Sequence, residues 1–159
     1  MVVQRDLTPA ADEALRQTKR EIWTYQCSGS LGTLQPYSYY RMEPWVTWAK
    51  GYKGFGFCWT MANLDSPRSN VYSPYTYGSD GPVPSRGWQA FWRGTRDWTT
   101  LAALRDAIQA AREAGQAEKT AAAEQVLQQA AAEVVTHPQD ATRADRWRQQ
   151  LLDQMLAFQ

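Results

Sequence analysis

Two short β-forming runs, held apart by a stretch with helical spacing, constrain this 159-residue chain more than any other feature. Residues 21–27, Glu-Ile-Trp-Thr-Tyr-Gln-Cys, are rich in β-branched and aromatic side chains and stop at Ser28-Gly29-Ser30-Leu31-Gly32. They read as a strand entering a turn. Residues 54–60, Gly-Phe-Gly-Phe-Cys-Trp-Thr, form the second run. Between them, Tyr40 or Arg41 recurs with Trp45 and Trp48 at helical spacing, which predicts a helix over about 38–50, ended by Gly51. Strands that alternate with helices pair in parallel through right-handed crossovers. Two parallel strands alone leave bare edges and faces that need cover. The expected fold is therefore α/β, the last quarter of a larger barrel. A complete eight-unit (β/α)8 barrel takes about 250 residues, more than this chain offers.

The flanking elements follow from caps and breakers. Thr8-Pro9, with Asp12 and Glu13 behind it, opens a helix expected to reach about Lys19. Residues 61–84 carry Pro, Gly, Asn, Asp and Ser throughout, interleaved with Tyr72, Tyr75 and Tyr77. They read as one long irregular loop, a kind of segment that is usually functional. Pro84-Ser85 caps a long helix over about 86–114, with an inner face including Trp88, Phe91, Trp98, Leu101, Leu104 and Ile108. Beyond Trp98 the only aromatic residues are Trp147 and Phe158, and the composition turns to Ala, Gln, Glu and Arg. The change falls near Gly115, dividing the chain into 1–115, the barrel portion, and 116–159, a helical tail. Two helices are expected in the tail, over about 116–136 and 142–158, the second striped by Ala144, Trp147, Leu151 and Met155.

Charge and composition exclude several functions. Seventeen Lys and Arg against 16 Asp and Glu give a net charge of +1, with no electrostatic footprint for nucleic acid or an anionic membrane. No apolar run approaches the roughly 18 residues of a membrane span. The opening Met-Val-Val-Gln-Arg-Asp lacks the apolar stretch of a secretory signal, and the compartment stays open. Two cysteines and one histidine make neither a disulfide framework nor a zinc site, so no metal or cofactor is expected.

Five segments in order carry a family resemblance: residues 21–27; Tyr-Tyr-Arg-Met-Glu-Pro-Trp-Val-Thr-Trp at 39–48; 54–59; Pro-Val-Pro-Ser-Arg at 82–86; and Arg-Gly-Thr-Arg-Asp-Trp at 93–98. Together they resemble the C-terminal part of glycoside hydrolase family 123 and the related domain of unknown function 4091, over roughly residues 8–115. The resemblance implies that the two strands are the last two of a (β/α)8 barrel and that the helix from Ser85 is its final one. It implies hydrolysis of N-acetylgalactosaminides, assisted by the substrate's own acetamido group. The family's catalytic Asp-Glu pair belongs to an earlier barrel strand, so no catalytic residue carries over. The final helix departs from the family pattern, with Gly87 in place of Arg, Trp98 in place of Tyr, and Thr99 and Thr100 in place of Glu-Tyr.

Barrel enzymes bind ligand at the C-terminal ends of their strands. That places Trp59, Tyr25, Asn63, Tyr72 and Tyr75 as substrate-binding candidates. Sugars present flat C–H faces and a rim of hydroxyls, which suit aromatic platforms flanked by hydrogen-bonding groups. For Trp59 the alternative is packing under the last helix. Strand alternation puts Phe55, Phe57 and Trp59 on one face, so both phenylalanines would crowd a pocket-facing Trp59 unless a bulge intervenes. Cys27 and Cys58 read as small buried hydrophobes. Glu43 and Asp97 fall inside helices, where an ion pair or solvent is expected; Asp65 and Asp80 lie in the loop, Asp80-Gly81 as a turn. Arg41 and Arg86 are expected to tie helices to neighbouring backbone. The expected function is the C-terminal part of a glycoside hydrolase, forming one wall of a sugar site. Its partners would be a carbohydrate ligand and the missing N-terminal barrel portion. The alternatives are a non-catalytic carbohydrate-binding or structural relic and, from the tail, a small helical interaction module.

Overall fold

The computed structural model describes residues 2–3, 7–26, 35–57 and 75–158. Within them the strand–helix alternation forms a small parallel sheet backed by helices, in a mixed α/β molecule that is mostly helical. Strands β1 (Val2–Val3), β2 (Trp23–Gln26) and β3 (Gly54–Phe57) lie side by side in that order, each pair parallel. β1 adds a third strand to the two expected, its two residues being too short a run to register as a β signal. Helix α1 (Pro9–Gln17) links β1 to β2, and α2 (Met42–Ala49) links β2 to β3. Trp23 pairs with Gly54, Thr24 with Phe55, Tyr25 with Gly56 and Gln26 with Phe57.

The helix ends are set by the residues that predicted them. Thr8 Oγ1 accepts from the Ala11 N–H at 3.2 Å, and Pro9 opens α1 where its missing N–H costs nothing. Tyr52 donates its hydroxyl to Asp12 at 2.6 Å, and Arg16 donates to the Lys50 carbonyl at 2.7 Å, which fastens α1 to the end of α2. Gly51 follows α2 with φ +70°, a conformation that suits glycine.

Ahead of α2 lies a difference from the expected continuous helix. Tyr37–Arg41 forms a π-turn, and the Met42 N–H bonds to the Tyr37 carbonyl. Residues 40–45 are all buried, so this stretch is enclosed on every side and shows no single apolar stripe. The expected irregular loop also differs at its end. Tyr75–Gly78 (β4) and Gly81–Pro84 (β5) pair as an antiparallel hairpin around a turn at Ser79-Asp80. The alternation of Tyr75-Thr76-Tyr77 is a strand signal that the surrounding Pro and Gly residues mask.

Helix α3 (Arg86–Glu113) begins with the Ser85 hydroxyl accepting from the Trp88 N–H at 3.2 Å. Its buried residues, Gly87, Ala90, Gly94, Asp97, Leu101, Leu104, Ile108 and Ala111, recur every three or four positions along one stripe. Trp88, Phe91 and Trp98 form a second, half-buried stripe whose rings meet the sheet and one another, as Phe91 does Phe57 at 5.2 Å and Trp98 does Phe55 at 5.3 Å. The expected inner face merged these two stripes. Gly94 lets α3 approach the π-turn: a Cβ there would stand 2.9 Å from the Arg41 carbonyl oxygen.

Helices α4 (Ala117–Thr136) and α5 (Ala141–Leu156) follow Gly115, which has φ +75°. Asp140 caps α5 by accepting from the Thr142 and Arg143 N–H groups. One apolar cluster joins Tyr37, Met42 and Trp45 with Leu101, Leu104 and Ile108 of α3, Ala130 and Val134 of α4, and Ala144, Trp147 and Leu151 of α5. Burying a leucine as completely as Leu101, Leu104 or Leu151 contributes about 1.5–3 kcal/mol each.

Candidate functional site

The sheet has two unlike faces because its side chains alternate. Thr24, Gln26, Phe55 and Phe57 point to the helical layer. Phe57 lies 4.9 Å from the Tyr40 ring and Phe55 packs on Trp98. Trp23 and Tyr25 take the opposite face, beside Gly54 and Gly56. Trp23 is 44% exposed there and Tyr25 is half-buried. The Trp23 ring lies so close over Gly54 that a Cβ on that glycine would stand 2.3 Å from it. Small residues thus seat an aromatic platform on this face.

Of the five substrate-binding candidates, Tyr25 lies on this aromatic face, toward the C-terminal end of β2. Tyr75 begins β4, in the separate hairpin, where its backbone pairs with Pro84. Trp59, Asn63 and Tyr72 lie outside the described residues, as do Cys27, Cys58 and Asp65. Asp80 occupies the hairpin turn, as its pairing with Gly81 suggested.

Beneath the sheet lies a polar cluster that was not anticipated as one. Glu43, in the first turn of α2, is 2% exposed. Its carboxylate accepts from the Gln26 side-chain amide at 2.8 Å and from the Thr24 hydroxyl at 3.3 Å, and Thr24 Oγ1 lies 3.1 Å from Thr47 Oγ1. Burial pushes the Glu43 carboxyl up to about 7, against the opposing pull of Gln26 and Thr24. The group is enclosed, so its chemistry is internal. It holds Gln26, the last residue of β2, and shares a proton equilibrium with solvent near neutral pH. The signal in the sequence is a carboxylate set among Met42, Pro44 and Trp45, all of which are buried.

Asp97 makes an ion pair, one of the two fates expected for it. Arg41 Nε donates to Oδ2 at 2.7 Å and Nη2 to Oδ1 at 3.3 Å, while the Trp45 indole N–H donates to Oδ2 at 2.9 Å. Arg148 of α5 approaches Oδ1 at 3.5 Å. Burial raises the Asp97 carboxyl, and these cationic and N–H neighbours oppose that rise by stabilising the charge. Arg41 also donates to Asp145 at 2.7 Å, so its guanidinium joins the π-turn, α3 and α5. The expected tie of Arg41 to backbone is instead a tie to two carboxylates.

Cavities open on the surface formed by the described residues. One of about 540 Å³ lies at the N-terminal ends of β2 and β3, among Trp23, Trp48, Tyr52 and Trp98. Another of about 250 Å³ lies between α3, the π-turn and the start of α5, with Arg41, Arg86 and Arg93 in its wall. No group of three or more His, Cys, Asp or Glu able to hold a metal ion occurs among the described residues. No helix among them is long and apolar enough to cross a membrane. Comparison with known proteins adds no relative: no protein-family model, curated protein or solved structure matches the chain.

Proposed function

We propose that this chain is the closing portion of a (β/α)8-type barrel similar to glycoside hydrolase family 123, where it forms one wall of a sugar-binding site. The carrying observation is the sheet. Its consecutive strands are parallel neighbours, its helices pack on one face, and its other face bears exposed Trp23 and half-buried Tyr25. A parallel sheet is ordinarily covered on both sides, so an aromatic face of this kind suits the interior of a larger enclosure. Two segments on which the resemblance rests also meet directly, through Arg41 and Trp45 of one and Asp97 of the other.

On this reading Tyr25 contacts the sugar, and Trp59, Asn63, Tyr72 and Tyr75 complete the wall. The acid pair comes from barrel strands outside these residues, so the chain alone hydrolyses nothing. A structural or carbohydrate-binding relic is the second reading, and Gly87 favours it. Where the family carries Arg, a Cβ would stand 2.7 Å from the Tyr40 ring, which leaves no path for a longer side chain without rearrangement.

The DNA upstream of Met1 tests the barrel directly. Barrel strands and an Asp-Glu pair in frame are expected; an intergenic region or an unrelated gene would overturn the proposal. Tryptophan fluorescence titrated with N-acetylgalactosamine separates a sugar-binding chain from a purely structural relic. A saturable change lost in Tyr25→Ala supports a sugar wall, and an unchanged spectrum at millimolar sugar leaves only the structural relic.

A further inference from the structure

The 250 Å³ cleft between α3, the π-turn and α5 has a chemistry that the sugar reading does not use. Arg86, Gln89, Ala90 and Arg93 follow one another at i, i+3, i+4 and i+7, so a single face of α3 forms its wall. Gln35 and Tyr37 line the opposite side, and no acidic residue is among the described residues that line the cleft.

Most arginines among the described residues are engaged elsewhere. Among the described residues, Arg16, Arg41, Arg105, Arg112, Arg143, Arg146 and Arg148 each meet a carboxylate, and Arg96 stacks over Trp92. Arg20, Arg86 and Arg93 have no such partner among the described residues, and the last two share this cleft. Arg41 also reaches the wall, but Asp97 and Asp145 already neutralise it. The cleft therefore presents two uncompensated guanidinium groups and the side-chain amide of Gln89. By helix rise, Arg86 and Arg93 stand roughly 10 Å apart along the axis, a gap two extended arginine side chains close from either end. Guanidinium forks match the paired oxygens of phosphate, and two of them match a dianion in charge.

We propose that this cleft is a binding site for a tetrahedral oxyanion, the phosphate or sulfate group of a ligand, held between Arg86 and Arg93. Both arginines are exposed, so replacing them leaves the core intact.

The test is calorimetric titration of the full chain with inorganic phosphate at fixed ionic strength, repeated with sulfate and with acetate. Saturable one-to-one binding of phosphate or sulfate is expected, weakened about tenfold in Arg86→Gln and in Arg93→Gln and unchanged in Arg20→Gln. Which of the two anions binds more tightly identifies the ligand group. Absence of saturation, equal weakening in Arg20→Gln, or acetate binding as tightly as either anion would each overturn the proposal. Should a variant fail to fold, phenylglyoxal labelling of the unmodified sequence gives the same answer by mass spectrometry. Phosphate or sulfate protects Arg86 and Arg93 but not Arg20 if the site is real, and protects none or all three equally if it is not.

Discussion

Asp97 on α3 and Glu43 on α2 are both withdrawn from solvent, at 0% and 2% exposure, on neighbouring helices. Around Asp97 stand a guanidinium at 2.7 Å, an indole N–H and a second arginine. Glu43 accepts from an amide and a hydroxyl, both neutral, of Gln26 and Thr24. The comparison shows that depth alone does not set a carboxylate's character. A cation held close favours the charged form of a buried carboxylate, as at Asp97; at Glu43 burial is the largest influence and favours the protonated acid, with Gln26, Thr24 and Lys50 opposing it.

The largest test of this contrast is Asp97→Asn, which removes the buried carboxylate partner of Arg41. A loss of about 3–5 kcal/mol is expected in urea unfolding, because removing the buried member of the pair leaves Arg41 only the solvent-screened Asp145. A loss below about 1 kcal/mol would mean that Asp145 and Tyr37 suffice for Arg41, and the contrast would fail on that side.

Glu43 supplies the next effect. Its carboxyl lies at about 7 in the folded chain against an ordinary 4.5. Below pH 4.5 both folded and unfolded forms hold the proton. As pH rises the unfolded form releases it first, so the associated stability declines from pH 4.5 and is gone above about 7. At 1.36 kcal/mol for each unit, the decline is roughly 3 kcal/mol. Unfolding curves at several pH values should show this slope in the natural sequence relative to Glu43→Gln; parallel profiles would remove Glu43 from the comparison.

The smallest effect sharpens the first. Asp145 touches the same guanidinium as Asp97, at the same 2.7 Å, but is 47% exposed. Water screens that contact, so Asp145→Ala should cost about 1 kcal/mol or less. A cost near that of Asp97→Asn would show that distance, rather than burial, governs the pair.

The sequence discloses local chemistry well and long-range chemistry poorly. Thr8-Pro9, Gly51, Ser85 and Gly115 mark helix boundaries because a cap or a positive φ is a property of one or two residues. The parallel pairing of β2 and β3 follows from the helix between them. β1 was hidden because two residues carry no periodicity, and the β4–β5 hairpin because turn-forming residues crowd its strands. The partners of Glu43 come from a strand 17 and 19 positions earlier, and that of Asp97 from 56 positions away, which no local pattern encodes. Of the substrate-binding candidates, Tyr25 was legible as a strand residue, while the face it takes emerged only from register with β3. The paired state of Asp97 leaves a faint trace, a polar residue in the apolar stripe between Gly94 and Leu101.

The wide turn at Tyr37–Arg41 makes this arrangement vulnerable to a single deletion. An ordinary helix advances about 100° per residue, so excising one residue there would let the coil tighten and swing everything before it by that angle relative to α2. The Tyr37 hydroxyl, 3.0 Å from the Asp140 carbonyl at the head of α5, would lose its acceptor. One surplus amino acid thus serves as the phase adjuster between the early part of the chain and its final helix.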